Sequence, residues 1–533
     1  MGRSLIRTAV MVVLVAAGVP QALFAGEVDF DRAVVVDASA AGEDSSMADG
    51  VTEMIDRWTV PAGGAADRCD PHAFLRRVSL DRLGRGPSVA EIDAFMTDGA
   101  DRRRLVRELC DAPERYAEGG SAEAATRLAD FWTARLAPAS TEAGVTATPL
   151  RNWLYEAFGD RRDIDAIASE LVDPALPGGR ALYEAVGGTT ANYTSAIARG
   201  LMGVRLDCAQ CHDHPFADWT QTNFWQFAAH FGDTVAPGDD GVATYEGVRY
   251  RSRLLPVPGD DEASDDEAGD DEADDDEADG GDAGAGRRGG PGEVAAWLTD
   301  DGHPFFAANL VNRTFQWLVG QPLVRPAADL DQVDASEIQR LRRIGRKAAA
   351  GGFDAGDLFR SIMRTEVYGR VAGGVAGGAS GGDTVNRRVK VLTPRQVFAS
   401  LERGLLLPVG RLDGDSARHN GLGGQLMRRL GEASVDDPSR YAAGVPQMLM
   451  LLNGPLTTAA TGPDGRLLTA VTTSPFLDTP QSRVETLYLS IVHRPPTAAE
   501  RSVSLAQIDA HGDAAYADIL WSLINHPEVV LCR

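Results

Sequence analysis

The residues with the most chemistry in this sequence lie within seven positions, Cys208-Ala-Gln-Cys211-His212-Asp-His214. Two thiols three positions apart can add across the two vinyl groups of a haem, and the next residue, His212, is then placed to donate an imidazole nitrogen to the iron. Only one such motif occurs, so one covalent haem c is expected and a multi-haem wire is excluded. The same residues leave other chemistry open. A thioredoxin-like Cys208–Cys211 redox pair would need a βαβ context, which the surrounding pattern lacks. Zinc held by Cys208, Cys211, His212 and His214 alone would crowd four ligands into seven residues, whereas structural zinc draws on separated pairs. A zinc site completed by remote ligands stays open, as does a structural thiol pair or disulfide. For the sixth position on a haem iron the nearest candidates are His214, His230 and Met202, and a vacant position is equally allowed. His214 stands too close to His212 to reach the opposite face of one iron. A lone histidine such as His230 is more often a packed residue than a ligand.

The elements that must position this motif read as helices. Ser88-x-x-Glu91 forms a capping box ahead of Ile92 and Phe95, and Thr393-Pro394 places proline at the first helical position ahead of Val397 and Leu401. Helical spacing joins Leu128, Phe131 and Trp132, then Trp153, Leu154 and Phe158, and again residues 307–318, 335–344, 484–491 and 516–524. The best strand signal runs from Thr244 to Leu255. Phe216, Trp219, Phe224, Trp225, Phe227 and Phe231 concentrate aromatic surface after the motif, as an ordinary core would. An internal echo links residues 74–91 to 484–500: both read helix, Arg-x-Pro turn, capping box, helix. Two copies fall short of a solenoid, which needs at least three stacked units. Of the three remaining cysteines, an oxidising compartment allows a Cys69–Cys110 bridge, which would leave Cys532 over, and the sequence does not establish the connectivity.

Composition sets the compartment and the partners. The chain has 533 residues and a net charge of −25. Fifteen acids fall between Asp260 and Asp282, so the rest carries −10, and no basic footprint for nucleic acid exists. Arg3 and Arg7 precede an apolar run from Ala9 to Ala17, and small residues follow at Ala25-Gly26, the order of a secretory signal. No later segment reaches the roughly 18 apolar residues of a membrane span, so no anchor is expected after signal cleavage. The expected location is the periplasm or the exterior. The stretch 259–292 is acidic and then glycine-rich, too poor in apolar residues to repay its ordering entropy, and reads as a disordered linker.

The residues from Gly203 to Phe216, with Asp218-Trp-Thr-Gln and Phe224, resemble the planctomycete cytochrome-type domain called domain-of-unknown-function family 1549. Residues 74–91 and Arg151-Asn-Trp-Leu154 are similar to other parts of that family. Trp297-Leu298, Pro304-Phe-Phe-Ala307, Val311-Asn-Arg313, Thr393-Pro-Arg-Gln396, Leu451-Leu-Asn-Gly454 and Arg494-Pro-Pro-Thr497 resemble the partner family 1553. The resemblance implies export, and implies that Cys208 and Cys211 attach haem, that His212 is an axial ligand, and that His214 is a family-typical residue of unassigned role.

The expected architecture is therefore mainly α, with two helical domains separated by a disordered acidic linker. A signal peptide (1–25) and a loose leader (26–50) precede a cytochrome-like domain (51–258), the linker (259–292) and a C-terminal domain (293–533). The expected function is that of a mono-haem cytochrome in periplasmic electron transfer, with a redox partner the sequence does not name. Two further classes stay open: a secreted, non-redox binding or scaffold protein, and a haem-dependent oxidoreductase on an extracellular substrate. Like charges along 260–290 repel one another and offer no apolar anchor. Limited proteolysis is expected to cut there first, and deletion of the tract to leave the thermal transition unchanged; a large drop in Tm would show that it is packed.

Overall fold

The computed structural model describes residues 45–60, 67–117, 119–138, 147–232, 242–256, 289–300, 302–327, 329–350, 352–372, 387–407 and 451–533. The signal, most of the leader and the acidic tract up to 288 lie outside them. The described residues are mainly helical, with strands only in two short antiparallel ladders.

Local chemistry starts many of the helices. After α1 (Ser45–Thr59), α2 (Pro71–Arg82) opens with Asp70 accepting the Ala73 N–H and proline in the first turn. The reciprocal Ser88–Glu91 capping box opens α3 (Val89–Thr97), and Asp101 caps α4 (Arg102–Asp111). Then come α5 (Pro113–Tyr116), α6 (Gly120–Leu136), α7 (Thr148–Gly159), α8 (Ile164–Val172), α9 (Pro177–Ala185) and α10 (Thr190–Ile197). A π turn (Ala198–Met202) and a 3₁₀ turn (Asp207–Gln210) lead to α11 (Gln221–Ala228). The expected strand at 244–255 is instead a hairpin, β1 (Val242–Tyr245) and β2 (Val248–Arg251). Glu246 (φ 51°) and Gly247 (φ 86°) form its two-residue turn, and positive φ at both central positions matches the twist of the strands they join.

The later helices are α12 (Pro291–Leu298), α13 (Phe306–Val319), α14 (Ala335–Ala349), α15 (Ala355–Met363) and α16 (Glu366–Gly369). Next come β3 (Lys390–Val391) and α17 (Pro394–Gly404), the latter opened by a Thr393–Gln396 capping box. The described chain ends with α18 (Pro455–Thr461), α19 (Arg466–Thr473), α20 (Pro480–Ile491), α21 (Ala498–His511), α22 (Ala515–Ile524), α23 (Pro527–Val530) and β4 (Leu531–Cys532), which pairs with β3.

Contacts group the chain into two compact units, neither of which is continuous in sequence. One unit comprises Met1–Arg127, Phe315–Gln321 and Phe359–Arg533; the other comprises Leu128–Thr314 and Pro322–Leu358.

The first unit contains both copies of the internal echo, and they match bond for bond. Arg85 makes a two-pronged ion pair to Glu91 (2.9 Å each) and also donates to Glu123 (2.7 Å). Arg494 does the same to Glu500 (2.8 and 2.9 Å) and donates to Glu528 (3.0 Å). In each copy the arginine also donates to the carbonyl of the next residue, and the glutamate closes a capping box. The residue before each arginine is left-handed, Gly84 at φ 74° and His493 at φ 63°. Glycine takes that conformation freely; His493 takes it fully buried, with Nδ1 accepting from Arg76 Nε at 3.3 Å. Burial holds its pKa well below the usual histidine range, as an accepting nitrogen requires.

The apolar core of this unit runs through Leu401, Val471, Val484, Leu487, Leu520 and Ile524. Next to it Lys390 is buried, ion-paired to Asp81 and donating to the Trp317 carbonyl at 2.9 Å; burial pushes its pKa down to about 8. Cys69 and Cys110 are both buried and are not joined by a disulfide. Cys110 lies with Leu105, Val106 and Leu109 on the inner side of α4, whereas Cys69 precedes α2 with its N–H on the Gly369 carbonyl.

In the second unit Leu154, Ile167, Leu171, Leu182 and Val294 are fully buried on α7, α8, α9 and α12. Phe353 joins them through its carbonyl, which accepts the Ile164 N–H at 2.9 Å.

The paired arginines yield a pH test. Arg85→Met would leave Glu91 buried without its partner, an expected loss of about 3–5 kcal/mol, and Arg494→Met less, since that pair is more exposed. Hydrogen bonds from Arg494 hold the Glu500 carboxyl at about 2, against 4.5 ordinarily. A lowered folded-state pKa gives stability that is present above about pH 4.5 and is lost as pH falls toward 2. Glu500→Gln should lower Tm at pH 7 and flatten the Tm–pH curve across that window, measured by thermal melts.

Candidate functional site

The site belongs to the second unit and begins where α10 ends. The π turn closes at Gly203, left-handed at φ 70°, whose N–H reaches back to the Ala198 carbonyl. A clamp from α13 holds this turn: the buried Asn309 amide donates to the carbonyls of Gly200 and Leu201, both at 3.0 Å. The Leu330 N–H binds the Gly203 carbonyl at 2.9 Å. A Cβ on Gly203 would lie 2.5 Å from Asn309 Oδ1, so glycine is required here by space as well as by φ. Val204 and Leu206 are fully buried beyond it, and Arg199 pairs with Asp207 at 3.1 Å.

Cys208 lies on the 3₁₀ turn, and Cys211 immediately follows it at φ −113° and ψ −22°. Both are free and exposed, while Ala209 between them is fully buried and anchors the turn. His212 is exposed, and its Nδ1 lies 2.7 Å from the Asp213 carbonyl. A carbonyl only accepts, so the neutral ring carries its proton on Nδ1 and leaves the Nε2 lone pair free. His214 is half-buried: its N–H binds the Trp219 carbonyl at 2.7 Å and its Nδ1 accepts the Phe216 N–H at 3.2 Å. Asp329 lies within electrostatic reach of His214 and pairs with Arg205; burial raises its carboxyl pKa.

His230 is placed differently. It is buried, with Nδ1 3.1 Å from the Phe227 carbonyl and Nε2 3.5 Å from Glu293 on α12, and burial lowers its pKa. Met202 is fully buried within the π turn. Among the described residues no three His, Cys, Asp or Glu side chains gather as a group able to hold a metal ion.

The aromatic residues divide. Trp219, Phe224, Trp225, Phe227 and Phe231 are buried, as a core requires, but Phe216 is 85% exposed beside the motif. Trp219 donates to Asp331 at 2.8 Å, and Trp225 donates to the Gln210 carbonyl at 3.1 Å, one residue from Cys211. Two contributors escape sequence reasoning. Asn309 stands more than 100 positions from the carbonyls it clamps. Tyr245, on the hairpin, stacks on Trp225 with ring centroids 4.4 Å apart and planes 17° apart. A tyrosine ending an alternating segment was the available signal, and nothing in its spacing points to Trp225.

The clamp sets a test. Asn309→Ala would strand two buried carbonyls, an expected loss of about 2–3 kcal/mol in urea unfolding. Gly203→Ala should cost more than the roughly 1 kcal/mol of a left-handed non-glycine residue, because the added carbon also meets Asn309. Equal stability of both variants and wild type would show that the turn is held otherwise.

No curated protein and no solved structure matches the chain. Residues 292–420 match the family PSD1, described as a protein of unknown function (DUF1553). Residues 56–236, which include Cys208, Cys211, His212, His214 and His230, match the family PSCyt2, described as a protein of unknown function (DUF1549).

Proposed function

We propose that this chain is an exported, mono-haem c-type cytochrome-like protein that passes single electrons to a partner outside the cytoplasm. The observation that carries the reading is the pair of unbridged, exposed thiols, one on the 3₁₀ turn and one directly after it, followed by a histidine whose Nε2 is free. That donor set fits haem c. A bound haem supplies a one-electron iron centre. Cys208 and Cys211 would hold it through thioethers, and His212 would offer Nε2, with its Nδ1–H on the Asp213 carbonyl fixing the tautomer. The buried Ala209 and the Asn309 clamp keep the turn in one conformation, and small rearrangement favours electron transfer over chemistry on a bound substrate. Export rests on the N-terminal pattern of Arg3, Arg7 and the apolar run to Ala17. No helix among the described residues is long and apolar enough to cross a membrane.

The test is production in a host with cytochrome c maturation machinery, then a haem stain on denatured protein and intact mass. Haem that survives denaturation, and is lost in C208A/C211A, is the expected result. Protein with one equivalent of zinc and no haem would overturn the reading. The ferric spectrum separates carrier from enzyme: a low-spin iron indifferent to cyanide fits a carrier, and a high-spin iron that binds cyanide readily rules the carrier out.

A further inference from the structure

The outer side of α14, in the second unit, carries a row of cations. Ile338, Leu341, Ile344 and Gly345 are buried on its inner side. A Cβ on Gly345 would lie 2.8 Å from the Ala308 nitrogen, so the helix rests directly on the backbone of α13. Arg342 Nε donates to the Pro304 carbonyl at 3.1 Å. These contacts fix the rotation of α14 and turn Arg340, Arg343, Arg346 and Lys347 outward, all four exposed. Positions three and four apart are neighbours on a helix, so the four make one stripe of like charge. Cations in the last turn suit the negative end of the helix dipole, which accounts for Arg346 and Lys347 but reaches neither Arg340 nor Arg343. Among the described residues no carboxylate pairs with Arg343, Arg346 or Lys347.

The opposite charge is concentrated elsewhere in the same unit. Fifteen acids, and no Lys or Arg, fall between Asp260 and Asp282. The described chain leaves at Pro256, after β2, and resumes at Gly289, ahead of α12, with 32 residues between. α12 packs on α8, and the Ile164 N–H at the start of α8 binds the carbonyl of Phe353, just beyond α14. The tract therefore rejoins the scaffold one helix away from α14. Run out and back, about 16 residues each way extend to about 50 Å, more than twice the roughly 22 Å length of α14.

We propose that the acidic tract between Asp260 and Asp282 docks on the exposed basic face of α14 in the same molecule, held by charge alone. Tethering gives the tract a high effective concentration over the helix, so an acidic partner must displace it to reach the same cations. Pairs between exposed groups are screened by salt and add little to stability, so the contact leaves the thermal transition unmoved while it covers the face. None of this depends on haem attachment.

The chain supplies its own probe. Its two lysines are Lys347, on this face, and Lys390, buried against Asp81. A water-soluble carbodiimide joins an amine to a carboxylate in contact with it. In the full chain at low ionic strength, peptide mass spectrometry is expected to map links from Lys347 to carboxylates within residues 260–282, in the monomer band and in a yield independent of protein concentration. At about 1 M salt, where the screening length is about 3 Å, the yield should fall severalfold. R343E/R346E leaves Lys347 in place and reverses two exposed charges; it should cut the low-salt yield roughly fivefold, the loss of two exposed ion pairs, with Tm unchanged. No link from Lys347 to the tract in the unsubstituted chain overturns the proposal, as do links confined to cross-linked dimers, which would seat the tract on a second copy. A yield that ignores both salt and R343E/R346E also overturns it, since charge would then not be what holds the tract.

Discussion

A guanidinium taken out of water must find acceptors in several directions at once, and the first unit is organised by that demand. Arg76, Arg77, Arg85 and Arg387 are all buried. Their partners come from distant parts of the chain: Arg76 donates to the Leu531 carbonyl, Arg77 to that of Tyr368, and Arg387 to that of Leu318. Each bond replaces hydration that folding removed, so its loss costs far more than its formation gains. Arginine suits the task because its planar fork serves several acceptors and keeps its charge when buried. Lys390, one of only two lysines, is the contrasting case: a single ammonium between Asp81 and a carbonyl, with its pKa lowered toward neutrality by burial.

The site in the second unit relies on neutral groups. Backbone carbonyls at the end of α10 are gathered by one side-chain amide, and the exposed turn is pinned by one buried alanine. Such an arrangement leaves the reactive atoms in solvent while fixing the backbone that carries them. Exposure of Cys208, Cys211 and His212 is therefore compatible with a rigid site, because rigidity is supplied from beneath.

Much of this was legible in the sequence wherever the chemistry is local. Ser88 with Glu91, Thr393 with Pro394, and the Cys208–His212 motif each act within five residues, and the structure has the Ser88–Glu91 capping box and the proline-opened helix after Thr393 as read. The echo between residues 74–91 and 484–500 was visible as a pattern, but its ion pairs to Glu123 and Glu528 were not, since those carboxylates arrive from other helices. His493 marks the same boundary. Gly84 announces a left-handed residue, whereas a histidine in that conformation is revealed only by packing. The hairpin was read as one strand because its turn uses Glu246 where Asn or Asp is the usual signal. Spacing left the pairing of Cys69 and Cys110 open, and the structure has no disulfide between them.

The π turn before the motif gives the site a register as well as a location. Such a turn holds one residue more than the α-helical turn it replaces, and each helical residue turns the chain by about 100°. Loss of a single residue from 198–202 would restore α-helical winding with little change in the direction of the chain after Gly203, whereas loss of a second would swing everything after Gly203 by about 100° around the axis of α10. Ala209 would then leave the interior and the two thiols would face a new direction, although every residue of the motif would still be present. The turn can therefore absorb the loss of its one extra residue, but a further change of length there would disconnect the motif from the scaffold that aims it.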